Sequence, residues 1–95
     1  MSMGKLLFAP DVERKIKNIK SSKHSLKSER LESALGDIRS SSLEAMCYSG
    51  RAKKLAVRDL ENFYSYRFGR NERILFTPVN DSRLVLDVIG FDAKD

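Results

Sequence analysis

The sequence predicts a small α+β protein in which a helix hairpin packs on one face of a four-stranded β-sheet. Apolar residues recur at helical spacing in the first half of the chain, whereas aromatic and β-branched residues between short polar turns dominate the second half. A chain of 95 residues has room for one thin core. We therefore expect a single domain over residues 1–95.

The chain begins with a predicted strand and a predicted helix. Residues 5–8 are a short, mostly apolar run that ends just before Pro10, which is typical of a strand. The first helix is predicted over residues 12–20, with Asp11 as its N-cap. Its apolar stripe consists of Val12, Ile16 and Ile19.

A second helix completes the hairpin after a polar turn at residues 21–25. Its apolar stripe consists of Leu31, Leu35 and Ile38, and the pattern continues to about residue 39. One or two further helical turns are predicted from Leu43 before Gly50 ends them.

Three strands are predicted in the second half, at residues 63–68, 73–76 and 84–89. The short polar turns between them favour an antiparallel meander. Both faces of the last strand are largely apolar, so we expect it inside the sheet. Residues 5–8 then supply its second neighbour, which brings the predicted sheet to four strands.

Composition narrows the class of protein. A net charge of +5 and a pI of about 9.6 favour an anionic partner, of which nucleic acid is the commonest. Cys47 has no second cysteine for an internal disulfide, and His24 has no cluster to join in a zinc site. No segment is long and apolar enough to span a membrane and no secretory signal is visible, so we expect a cytoplasmic protein.

Cationic side chains gather on and just before the predicted hairpin: Lys53, Lys54, Arg67, Arg70 and Arg73. Side chains alternate along a strand, so Tyr64 and Tyr66 share one face and Arg67 lies on the other. Arginine binds phosphate in a fixed bidentate geometry, and aromatic rings stack on unpaired bases. These residue types fit an RNA site, but they also fit an aromatic core with solvated arginines, and the residues alone favour the second interpretation.

A Tyr-rich strand ending in Arg67-Phe68-Gly69 turns into the strand Arg73-Ile74-Leu75-Phe76, and a polar turn then leads to residues 84–90. This order resembles the RelE/ParE toxin superfamily. The first half agrees, because the family begins with a short strand and a helix hairpin. The resemblance therefore covers almost the whole chain.

The resemblance implies the toxin of a type II toxin-antitoxin pair, neutralised by a cognate antitoxin. In the RelE branch such a toxin is a ribosome-dependent endoribonuclease that cleaves mRNA and inhibits translation without a metal ion or small-molecule cofactor. Arg73 matches the recurrent catalytic arginine of the family, and Arg67 matches a basic position on the preceding strand. The resemblance further implies that Lys53 and Lys54 bind RNA phosphates. The residue types of the hairpin add Tyr64 and Arg70 to the candidate RNA-binding residues, and Lys94 is the candidate to replace the C-terminal arginine of the family.

The C-terminus departs from the nuclease pattern. The nuclease branch usually carries an arginine and a tyrosine or histidine after the last strand, whereas Gly90 is followed here by Phe91-Asp92-Ala93-Lys94-Asp95. Two alternatives to the nuclease therefore stay open. One is a ParE-like toxin that inhibits a protein target such as DNA gyrase, and the other is a catalytically degenerate binding module.

Overall fold

The computed structural model describes residues 5–21, 25–57, 60–67, 69 and 71–90. The described part holds five strands and three helices. In chain order they are β1 (Leu6–Phe8), α1 (Pro10–Lys20), α2 (Ser25–Ser40), α3 (Leu43–Tyr48), β2 (Ala52–Val57), β3 (Leu60–Arg67), β4 (Arg73–Val79) and β5 (Ser82–Ile89). No helix in these ranges is long and apolar enough to cross a membrane.

The strands form one sheet in the order β1-β5-β4-β3-β2. β1 pairs with β5 in parallel, and the other neighbours are antiparallel. The predicted α+β class is confirmed, as are the interior position of the last strand and its pairing with the first.

The predicted number of strands is wrong by one, because β2 adds a fifth strand beside β3. β2 lies at the sheet edge, where it needs only one neighbour and where charged side chains face water. Lys53 and Lys54 are both exposed there. These two lysines interrupt the apolar pattern by which the other strands were recognised.

The helix hairpin is confirmed, but the start of α1 differs from the prediction. Ala9 is the N-cap residue, in extended conformation, and Pro10 occupies the first turn. Proline suits this position because it lacks an N–H and its φ is already helical. Asp11 therefore lies inside the first turn, where its charge complements the helix dipole, and is not the cap.

The short helix predicted from Leu43 is confirmed as α3. Ser42 caps it by accepting a hydrogen bond from the N–H of Ala45 at 3.0 Å. The chain leaves α3 through Gly50, whose φ of +83° suits glycine.

The helices cover one face of the sheet, and the core lies between the two layers. Its buried residues include both predicted helical stripes: Val12, Ile16, Ile19, Leu31, Ala34, Leu35, Ile38, Met46, Ala52, Tyr66, Ile74, Phe76, Val85 and Val88. Tyr64 packs against this core, with its ring stacked on Phe76 at a centroid distance of 5.7 Å. Phe68, the last residue of the predicted aromatic strand, lies outside the described residues.

Candidate functional site

A cleft of about 500 Å³ lies beside the sheet. The strand residues that line it alternate with the aromatic residues that pack against the helices. Three strands contribute side chains to it: Lys53 and Leu55 from β2, Ser65 and Arg67 from β3, and Arg73 from β4. The corner between α3 and β2 closes one side with Cys47, Gly50, Arg51 and Ala52. The cleft is therefore built where the sheet edge meets α3.

Strand register brings the cations of the cleft together. Arg67 lies directly opposite Arg73 in the β3–β4 ladder, and Lys53 lies opposite Ser65 in the β2–β3 ladder. Like charges directly across a ladder repel each other. A bound anion between the strands would remove this repulsion.

No carboxylate in the described ranges pairs with these cations. The guanidinium of Arg67 donates from Nε to the carbonyl of Gly69 at 3.4 Å. The ion pairs of the described residues involve Lys15, Lys20 and Arg51 instead. Lys53, Arg67 and Arg73 therefore leave positive charge in the cleft that no described carboxylate neutralises, which makes the cleft a candidate anion site.

The structure groups some of the predicted site residues and separates others. Lys53, Arg67 and Arg73 line one cleft, whereas the sequence placed the two arginines at a hairpin and Lys53 only upstream of it. Lys54 alternates away from it, opposite Tyr64, and Tyr64 is half-buried against Phe76. The RNA-binding predictions for Arg70 and Lys94 fall outside the described residues, as does His24.

A polar network that sequence reasoning missed lies beside the cleft. The Asp37 carboxylate of α2 accepts hydrogen bonds from the hydroxyls of Ser41 and Tyr66, each at 2.5 Å, and from Arg51 Nη1. Ser41 is one helical turn from Asp37, but Arg51 and Tyr66 lie on other elements. Only the folded chain brings Arg51 and Tyr66 to the carboxylate of Asp37.

The network sets the protonation of its members. Burial disfavours the charged form of Asp37, but the hydrogen bonds from Ser41, Tyr66 and Arg51 outweigh it and hold its pKa below the usual value. Burial, together with the hydrogen bond to Asp37, raises the pKa of Tyr66 to about 12. At neutral pH Asp37 is therefore ionised and Tyr66 keeps its proton.

The chemistry available in the cleft is electrostatic. Its described lining combines cationic side chains with the hydroxyl of Ser65 and the exposed thiol of Cys47, and holds no carboxylate or imidazole. Across the described ranges no three His, Cys, Asp or Glu side chains are grouped so that they could hold a metal ion. This arrangement can bind a polyanion and stabilise negative charge that develops on it.

Comparison with known proteins finds this architecture in several solved structures. No family model and no curated protein matches the sequence. Similar solved structures include the YoeB-YefM complex from Staphylococcus aureus, with a TM-score of 0.70 at 17% identity over 94% of this chain and 98% of that one. A RelBE toxin-antitoxin complex from Mycobacterium tuberculosis has a TM-score of 0.62 at 19% identity, over 93% and 98%.

A third similar structure is the YoeB/ParE toxin from Agrobacterium tumefaciens, with a TM-score of 0.57 at 11% identity over 90% of this chain and 95% of that one. These structures are toxins or toxin-antitoxin complexes. The chain shares the fold of these structures, which confirms the fold that the hairpin resemblance implied.

Proposed function

We propose that this protein is the toxin of a type II toxin-antitoxin pair and that it acts as a RelE-like, ribosome-dependent mRNA endoribonuclease. The observation that carries the proposal is the facing pair Arg67 and Arg73, which shares a cleft with Lys53 and has no carboxylate partner among the described residues. An RNA phosphate is the ligand that such a set of cations suits.

In the proposed reaction the ribose 2′-hydroxyl loses its proton to water and its oxygen attacks the adjacent phosphorus. The bond to the 5′-oxygen of the next nucleotide breaks, and that oxygen takes a proton from water. Negative charge builds on the phosphate oxygens, and preorganised cations stabilise it. Arg73 and Arg67 supply this charge from two neighbouring strands. Lys53 binds a phosphate and positions the message without reading its sequence.

The proposed partners are an antitoxin and the translating ribosome in the cytoplasm. Two of the similar structures were solved as toxin-antitoxin complexes, which supports a cognate antitoxin for this chain. The basic surface of the protein suits an acidic antitoxin segment as well as RNA.

Arg73→Ala tests the proposal in cells. We expect induced wild-type protein to stop growth and to produce new mRNA 5′ ends within translated codons. Arg73→Ala should lose most of this effect, because it deletes charge that stabilises the transition state. Arg73 is exposed, so its replacement leaves the core intact. Arg14→Ala is the matched control, since Arg14 is an exposed arginine of α1 outside the cleft.

Plasmid supercoiling from the same cultures separates the alternatives. Intact messages with altered supercoiling would show a ParE-like action on DNA gyrase. Intact messages with unchanged supercoiling would leave a binding module, and cleavage that persists in Arg73→Ala would remove Arg73 from the site.

A further inference from the structure

The corner between α3 and β2 is anchored to α2 by hydrogen bonds of Arg51. Arg51, which lines the cleft, donates from Nη1 to the Asp37 carboxylate of α2 and from Nε to the Ser49 hydroxyl at 2.7 Å. Two sides of this guanidinium are therefore fixed by the protein itself. The Asp37 side chain is only 20% exposed, so the anchor lies largely out of water.

The backbone of Arg51 extends this connection to β3. Its carbonyl accepts a hydrogen bond from the N–H of Arg67 at 2.9 Å. Lys53 follows two residues later and pairs with Ser65 in the same ladder. One side chain thus links Asp37 of α2 to the strand pair that holds Lys53 and Arg67.

Charge distinguishes Arg51 from the other cations of the cleft. The positive charge of Arg51 is offset by Asp37, whereas Lys53, Arg67 and Arg73 have no carboxylate partner in the described ranges. A guanidinium that is already paired and hydrogen-bonded gains less from a phosphate than an unpaired one. Arg51 then contributes to the cleft by fixing the position of its wall and not by binding the phosphate.

We propose that Asp37 and Arg51 form a positioning pair that holds the β2 wall of the cleft, and with it Lys53, against Arg67, without contacting the bound phosphate. This inference rests on the proposed function, because it assigns the cleft to an RNA phosphate. It adds two positioning residues that act through Lys53.

Removing one negative charge changes the RNA affinity in opposite directions under the two explanations, positioning and simple electrostatic attraction. Asp37→Asn makes the protein more positive, so attraction alone would tighten RNA binding. A positioning pair that loses its carboxylate lets the corner shift, and binding weakens instead. Glu32→Gln is the matched control, since it removes a carboxylate from the same helix, where Glu32 pairs with Lys20 at 3.2 Å.

The experiment combines two probes on the purified full chain. Fluorescence anisotropy measures the affinity for a short single-stranded RNA, and NMR follows Lys53 and Arg73 as inorganic phosphate is added. We expect Asp37→Asn to weaken RNA binding by roughly three- to tenfold. The phosphate response of Lys53 should fall while that of Arg73 persists, and Glu32→Gln should bind at least as tightly as wild type.

Arg51→Gln is the second variant, chosen because Arg51 is half-exposed and its loss leaves the core unchanged. It should weaken RNA binding as Asp37→Asn does. In a Lys53→Gln background neither change should weaken binding further, because both act through Lys53. Amide exchange at Arg67 should accelerate in both variants, since its N–H bonds to Arg51.

Three results would overturn the inference: Asp37→Asn binding RNA as Glu32→Gln does, losses that add to that of Lys53→Gln, or a wild-type Lys53 that does not respond to phosphate. The proposed function fails separately, when wild-type protein cuts no message in cells. In that case the phosphate response of Lys53 in wild type and Asp37→Asn still decides whether the pair positions the cleft.

Discussion

At the scale of single residues, some cationic side chains of the described ranges pair with a carboxylate and others do not. Lys15, Lys20 and Arg51 are paired, with Asp87, Glu32 and Asp37 respectively. Arg67 and Arg73 face each other and have no such partner in the described ranges. Two facing arginines repel each other unless an anion lies between them, and the RNA phosphate of the proposed function would offset this repulsion.

Acid should reveal the contribution of Asp37 to stability. Its folded pKa lies below the unfolded value of about 3.9, so the stabilisation is present above that pH and is lost as the pH falls through the folded pKa. We expect Asp37→Asn to lower the free energy of unfolding by about 1–2 kcal/mol at pH 7. Urea unfolding at pH 7, 4 and 3 measures this difference.

The difference between wild type and Asp37→Asn should shrink toward pH 3. Glu32→Gln is again the control, since an exposed ion pair contributes little at any pH. A difference for Asp37→Asn that stays constant from pH 7 to pH 3 would contradict an ionised, hydrogen-bonded Asp37.

The hairpin arginines could be predicted from the sequence because they are near each other along the chain. Arg67 and Arg73 flank one turn, so strand pairing alone brings them together. Asp37 and Arg51 are 14 residues apart on different elements, and no local pattern joins them. Tyr66 was predicted on the aromatic face, but its bond to Asp37 depends on how α2 docks onto the sheet.

At the scale of elements, the hydrophobic pattern predicted four of the five strands and missed the edge strand β2. β5 is apolar on both faces and pairs on both sides, as predicted. β2 has a single neighbour and carries Lys53 and Lys54, so its sequence resembles a loop. The missed strand supplies one wall of the cleft, and the site was therefore predicted less completely than the core.

Alanine substitutions at Gly36 and Gly90 test the backbone conformation of α2 and of the turn after β5. Gly36 lies within α2 with open space around its Cα, so Gly36→Ala should stabilise the protein by roughly 0.5–1 kcal/mol through helix propensity. Gly90 ends β5 with a φ of +86°, and an added Cβ would come within 2.2 Å of the Asn71 carbonyl oxygen. We expect Gly90→Ala to cost at least about 1–2 kcal/mol.

Chemical denaturation of the two variants beside wild type gives both values. The pair serves as its own control, because the substitution is the same and only the backbone conformation and surroundings differ. Equal shifts of the unfolding midpoint in one direction would contradict the described end of β5.

At the scale of the whole molecule, one set of strand positions forms the core and the alternate set forms the cleft. The helices cover one face and bury the aromatic side chains, which leaves the alternate positions of β2, β3 and β4 to form the basic cleft. The alternation of side chains along the strands couples these tasks, since each core residue is followed by one that faces the other way. A stable core and an exposed cationic cleft therefore come from the same three strands.

A purified translation reaction with defined mRNA tests the central claim most directly. Wild-type protein, Arg73→Ala and the Arg14→Ala control are each added to ribosomes engaged on a message, and the 5′ ends of the RNA are mapped. The account predicts cuts within the codon exposed on the ribosome for wild type and Arg14→Ala, and few or none for Arg73→Ala. Intact mRNA in the presence of folded wild-type protein, or equal cutting by Arg73→Ala, would contradict it.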